Sequence, residues 1–325
     1  MLTGSGGLIR SGLFMTSVLA VLMAAGCIFD SEPEEPGFPS QLDATISFQA
    51  IGDPVLCKCM SGSGLALVAA GTSLGVIDIQ SGQSPVELAL GVEIDDIADS
   101  DAAGYAWVLA DSLLYPVDLS GPSLESPVRL GGGGSFVTVS SAGNRALVSM
   151  NDDSITLVDL TGMQVTTLAE LQIRACQGMA FGGDETVYAA LGSEGVIAGY
   201  ETENWTEIGR VSVPGDVIDL FPGPSGYICV IVNGSNELWF IRTSDCKLYS
   251  MTTFPETPLA AASMPDGSFA YATCAGSGLM VVAENGQIEL RSQQFGMPSS
   301  IDISPDGSRA VLCSTDERRV YVLVK

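Results

Sequence analysis

Ser263-Met264-Pro265-Asp266-Gly267-Ser268, followed by FAYATCAGSGLMVVAENG, is answered about 41 residues later by Ser304-Pro305-Asp306-Gly307-Ser308, followed by RAVLCSTDERRVYVLVK. Each copy opens on a tight turn and continues into two short apolar runs separated by a polar loop. A self-similar unit of roughly 40 to 45 residues, made only of such runs and turns, is the mark of propeller blades, each a small sheet unable to bury its faces alone. The chain is therefore read as all-β, a seven-bladed β-propeller.

Aligned on the first turn, the blades begin near Gly52, Gly91, Gly131, Gln172, Pro214, Pro255 and Gly296. The last is short by one strand. Ala44-Thr45-Ile46-Ser47-Phe48-Gln49-Ala50 alternates like a strand and has no blade of its own, so it is expected to supply the outer strand of blade seven. Closure of this kind removes the sheet edges that otherwise pair with other chains. Blade three shows the internal plan, with strands expected over 136–140, 146–150, 155–160 and 165–171. ALVSM and ITLVDL are apolar on both faces of the pleat, as expected of a sheet covered on both sides by neighbours. No amphipathic helix is read after residue 28.

PDGSRAVL at 305–312, PDGSFAYAT at 265–273 and RALVSMNDDSITLVDLTG at 145–162 resemble the YVTN-type β-propeller repeat. Its consensus runs P-D-G, an apolar strand, an N or D loop, and V-x-V-I-D-x-x-x-G. The resemblance is strong in blades three, six and seven, fair in one, and weak in two, four and five, where Gly-Gly-Asp-Glu at 182–185 and Pro-Gly-Pro-Ser at 222–225 replace P-D-G-S. The W-D signature of another propeller class is absent. YVTN-type proteins include surface-layer components, periplasmic binding proteins and a lactonase branch, so the resemblance implies a fold more sharply than an activity.

Thirteen basic residues against 38 acidic ones give a net charge of -25, a field that repels nucleic acid and anionic lipid surfaces. No nucleic acid partner is expected. Residues 1–26 read as an export signal: Arg10, then an almost wholly apolar run from Leu13 to Ala25, then small residues before Cys27. The run is shorter than the roughly 20 residues that span a bilayer. Ala-Ala-Gly-Cys resembles the lipobox of bacterial lipoproteins, which implies lipidation at Cys27 and membrane attachment through the lipid alone. Ala24 stands where that family usually has Leu, so ordinary secretory cleavage at the same small residues remains open. Ile28 is not the Asp that resembles an inner-membrane retention signal, and the outer membrane is the expected address. The acidic, proline-rich stretch in 27–43 is expected to stay extended as a tether, with the propeller body over 44–325.

With Cys27 set aside, seven cysteines remain, an odd number that cannot be a fully paired framework. Most lie in apolar runs, where free Cys packs as a small hydrophobe. One or two disulfides stay open. The chain has no histidine, which removes Ser-His-Asp and Cys-His hydrolysis and Cys/His zinc cages. Carboxylate, lysine or tyrosine chemistry survives, and no cofactor is expected.

Propeller ligands usually meet the face made by the loops between strands two and three and the links between blades. On this chain that face holds Asp111, Asp152, Asp153, Asp216 and Asp316 as ligand candidates, with Asp53, Glu93, Glu256 and Glu317 nearby and Arg318 and Arg319 opposing them. Such a face attracts a cation, an amine or a basic partner surface, although Asp also favours loops for turn chemistry alone. Asp95, Asp96, Asp99 and Asp101 form the tightest acidic run and raise Ca2+, without the spacing of an EF-hand loop. Two functions compete: a lipid-anchored, non-enzymatic module that binds an envelope protein or polymer, and an enzyme of lactonase or lyase type using channel-mouth carboxylates with or without a divalent metal. A structural role in a surface layer is a third.

Overall fold

The computed structural model describes residues 37–99, 104–168, 176–183, 185–191, 195–224, 226–274, 276, 278–283 and 285–325. Cys27 and the rest of the leader lie outside them, as do Asp101, Arg174 and Glu194. The compact unit formed by Phe38–Lys325 is seven antiparallel sheets, and no helix occurs among the described residues. Blade one runs Leu56–Cys59, Leu65–Ala70, Ser73–Asp78 and Val86–Ala89 from inside to outside. Blades three to six repeat that order with four strands each, and blade two divides its outer edge between Ser123–Leu124 and Val128–Arg129.

Blade seven is completed as expected. Gln41–Ser47 pairs antiparallel with the C-terminal strand Arg319–Val324, from Gln41 opposite Val324 to Ser47 opposite Arg319. The strand begins three residues before Ala44, and the packed chain reaches back further. Phe38 is only 5% exposed, its ring 4.7 Å from Phe269, and the Tyr271 hydroxyl donates to the Pro39 carbonyl at 2.8 Å. The end of the tether is thus part of the body, because two apolar residues follow the acidic run and find an aromatic site on blade six.

The P-D-G-S signature has a local cause. Asp306 accepts hydrogen bonds from the Ser308 amide at 3.0 Å and from the Ser304 hydroxyl at 2.6 Å, while Gly307 takes φ +67°, a conformation costly for residues with a Cβ. In blade six Asp266 accepts from both the amide and the hydroxyl of Ser268, with Met264 standing where blade seven has Ser304. Between successive blades lie seven apolar layers, one per interface and including the seven-to-one junction. Each fully buried Val, Leu or Ile contributes roughly 1.5–3 kcal/mol, and no single blade can gain this alone.

Candidate functional site: the central channel

The inner strands of all seven blades surround a cavity of about 440 Å3. Most of its wall is backbone, small side chains and aliphatic groups, but Lys58, Asp95, Asp96, Asp99, Asp219 and Asp302 also line it. The sheet registers explain how residues so distant in sequence meet. Asp96 of blade two lies opposite Leu109, and Asp219 of blade five opposite Ile231. Both partners are the fifth residue of their second strands, so the two carboxylates occupy one level of the ring. Lys58 opposite Leu67 and Asp302 opposite Val311 occupy a second level, two residues further along.

Every channel carboxylate is held by backbone amides, and three of them join blades. Asp302 of blade seven accepts the Cys59 amide of blade one at 2.8 Å. Asp96 accepts the Val137 amide of blade three at 2.8 Å and its neighbour Ile97 at 2.8 Å. Asp99 accepts Ser61 of blade one at 2.7 Å, and Asp219 accepts Leu220 at 2.8 Å. Lys58 Nζ stands 3.6 Å from Asp302.

The electrostatics follow from one ammonium in a confined space facing the carboxylates of Asp302, Asp219, Asp99 and Asp96. The Asp302 charge holds the Lys58 ammonium well above the ordinary lysine range against the opposing effect of burial, with Asp219, Asp99 and Asp96 adding to it. Burial pushes Asp96 up to about 7, even though the Val137 and Ile97 amides and Lys58 favour its ionised form. Burial raises Asp219 as well. The channel therefore carries surplus negative charge and a carboxyl that gains or loses a proton near neutrality.

The loop residues singled out in the sequence lie at one end of the ring, in loops of blades two, three and seven and, for Asp216, in the link into blade five. Asp111 has φ +54° and its amide donates to Asp95 at 2.6 Å. Asp152 accepts the Ser154 amide and hydroxyl, which hold its carboxyl below the usual range. Asp153 has φ +67°. The Asp216 carbonyl accepts the Asn233 amide at 2.8 Å. Asp316 accepts the Ser314 hydroxyl at 2.7 Å and is likewise held low. Arg318 pairs with Asp53 at 2.5 Å. Asp95, Asp96 and Asp99 turn to three different partners, and no group of three or more Cys, Asp or Glu among the described residues is arranged to hold a metal ion.

Lys58, Asp219 and Asp302 did not stand out in the sequence. The available signal was a charged residue in the first strand after an inter-blade link, as in LCKC, VIDLFP and SSIDI.

No family model matches the chain, and no curated relative matches it. Among solved structures it is similar to the Cps50 (Swd1) β-propeller domain of Myceliophteria thermophila, with a TM-score of 0.75 over 88% of this chain and 100% of that one. At 11% identity this likeness concerns the fold alone. The chain is a seven-bladed β-propeller with a charged central channel.

Proposed function

We propose that this propeller is a non-enzymatic binding module of the bacterial cell envelope, lipid-anchored through Cys27, that engages a basic partner protein or envelope polymer through its acidic loop face and channel mouth. The observation that carries the reading is the channel itself, where blades two, five and seven direct four carboxylates toward the ammonium of blade one. Such a site favours a cationic group and gains from the low local dielectric. The topology supports the orientation. Gln41 lies beside Val324, which also pairs with Arg309 just after the P-D-G-S turn, so the tethered end joins the body at the P-D-G-S end. The acidic loops stand at the other end of the propeller.

The test is gentle crosslinking in the native cells, followed by mass spectrometry of the purified protein's N-terminus and of co-purifying proteins. The expected outcome is a diacylated Cys27 with a reproducible basic partner whose recovery falls when Asp96 and Asp219 are both replaced by Asn. An unmodified, cleaved N-terminus, or recovery unchanged by these substitutions, would count against the anchor or the channel respectively.

One observation favours a second reading. Asp96, pushed up to about 7 in a cavity, has the proton affinity suited to general acid-base work, as the lactonase or lyase alternative requires. Turnover of a lactone or glycan substrate, abolished by Asp96→Asn with the fold intact, would favour it over the binding module.

A further inference from the structure

Three thiols meet in the apolar layer where blade seven closes onto blade one: Cys57, Cys59 and Cys313, all buried. Their levels differ. The Cys57 amide donates to the Ser300 hydroxyl at 3.1 Å, and Ser300 is the Cα partner of Cys313 within blade seven. The Cys59 amide donates to Asp302 at 2.8 Å, and Asp302 is the partner of Val311. Cys57 is thus level with Cys313, whereas Cys59 lies one step along, level with Val311. Cys57 Sγ lies 3.6 Å from Ser300 Oγ and 3.3 Å from the Val311 carbonyl, so it points at the second strand of blade seven, the strand that carries Cys313 in the same buried layer. Cys57 and Cys59 are two apart on one strand face and are not each other's partners by geometry.

We propose that Cys57 and Cys313 form a disulfide that closes the ring covalently between blade one and blade seven. The reaction is thiol-disulfide exchange with a small-molecule disulfide. One cysteine thiolate attacks the reagent and releases its first thiol, and the second thiolate then displaces the remaining half. The Cys57–Cys313 bond forms, the reagent's S–S bond breaks, the two cysteines are oxidised, and both protons end on the reagent's two thiols. Burial raises the Cys313 thiol well above its ordinary range, so in the folded protein Cys313 presents little thiolate. Exchange therefore belongs to folding, before the last blade docks, and the finished bond is shielded from later reduction. A clip between positions so near the two ends of the propeller constrains almost the whole body in the unfolded state.

The test is independent of any ligand or membrane anchor. The full chain is unfolded under reducing conditions and refolded with a mixture of glutathione and its disulfide. It is then denatured without reductant, alkylated and digested, and its peptides are mapped. The expected result is one linked peptide pair joining Cys57 to Cys313, with Cys59 alkylated. The link persists in Cys59→Ser and disappears in Cys313→Ser. Alkylated Cys57 and Cys313 in the wild-type digest, or a link from Cys313 to any other cysteine, would overturn the proposal. Because the wild-type map decides the matter, poor folding of a variant does not blur it.

Discussion

Lys58 and Asp302 stand 3.6 Å apart across the junction at which the ring closes, and the same carboxylate accepts the Cys59 amide. The pair joins the first blade to the last at the channel wall, where both side chains remain partly open to solvent, at 32% and 17%. Asp302→Ala removes the partner of a confined ammonium and the acceptor of a backbone amide together. Complete burial would put the cost of a broken pair at about 3–5 kcal/mol, and screening through the channel reduces the expected loss to about 2 kcal/mol. Asp302→Asn retains an acceptor for Cys59 and is expected to lose less. Urea midpoints of the two variants check both the loss and its order.

Protons should stabilise this protein across a window where many proteins are indifferent. Burial raises the Asp96 carboxyl to about 7 and moves Asp219 in the same direction, while in the unfolded chain both titrate near 4. Between about pH 4 and pH 7 the folded state therefore holds protons the unfolded state has released. Stability falls as pH rises through this window and is level above it. The turn carboxylates Asp78, Asp118 and Asp152 are held low by hydrogen bonds, so their opposing loss begins only below about pH 4. The expected optimum lies near pH 4, and stability at pH 5 exceeds that at pH 8 by on the order of 2 kcal/mol. Asp96→Asn should remove most of that difference by raising stability at pH 8. Denaturation midpoints that do not change between pH 5 and 8 would refute the assignment.

The turns that announce the fold should be individually modest contributors. Asp306→Ala takes away the acceptor for Ser304 and Ser308 and is expected to cost about 1 kcal/mol. Gly307→Val meets two obstacles: φ is +67°, and an added Cβ would approach the Met264 methyl at 2.9 Å. It is expected to cost more than the aspartate change, about 2 kcal/mol. Thermal unfolding of both variants gives the ranking, and the reverse order would mean that the carboxylate network rather than the backbone governs the turn.

The difference between what the sequence disclosed and what it concealed has a geometric origin. P-D-G-S turns and the outer-strand deficit of blade seven are local or countable, so blade number, boundaries and ring closure could be read from residues such as Asp266, Gly307 and Ile46. The channel charges could not. In blades three, five, six and seven the inner strand carries an irregularity near its start, between Gly134 and Phe136, Val217 and Asp219, Pro258 and Ala260, and Pro298 and Ser300. One extra residue reverses which face each later side chain takes, so alternation alone did not show whether Asp219 or Asp302 pointed inward. Lys58, set between two cysteines in an apolar run, gave no sign of its partner because Asp302 lies at the other end of the chain. The acidic loops share one end of the ring, but the structure commits Asp152 and Asp316 to their own turns and sets the buried charge along the channel wall.

Ring closure should depend on a segment that composition marked as a tether. Phe38 packs on Phe269 and Tyr271, and Gln41–Ser47 covers the edge of Arg319–Val324, with Arg309 pairing to Asp43 at 2.7 Å. Phe38→Ala removes an aromatic ring from a site at the margin of the core and is expected to cost about 3 kcal/mol, at the lower end for buried Phe. Deleting residues 38–47 has a different consequence, since it uncovers the edge of an apolar strand whose amides and carbonyls are then available to other chains. That variant is expected to elute as dimers and larger species while Phe38→Ala elutes with the wild type, although it unfolds earlier. Size-exclusion chromatography with thermal denaturation separates the two effects. A monomeric deletion variant of unchanged stability would show that three strands suffice for blade seven and that the N-terminal strand is decoration rather than closure.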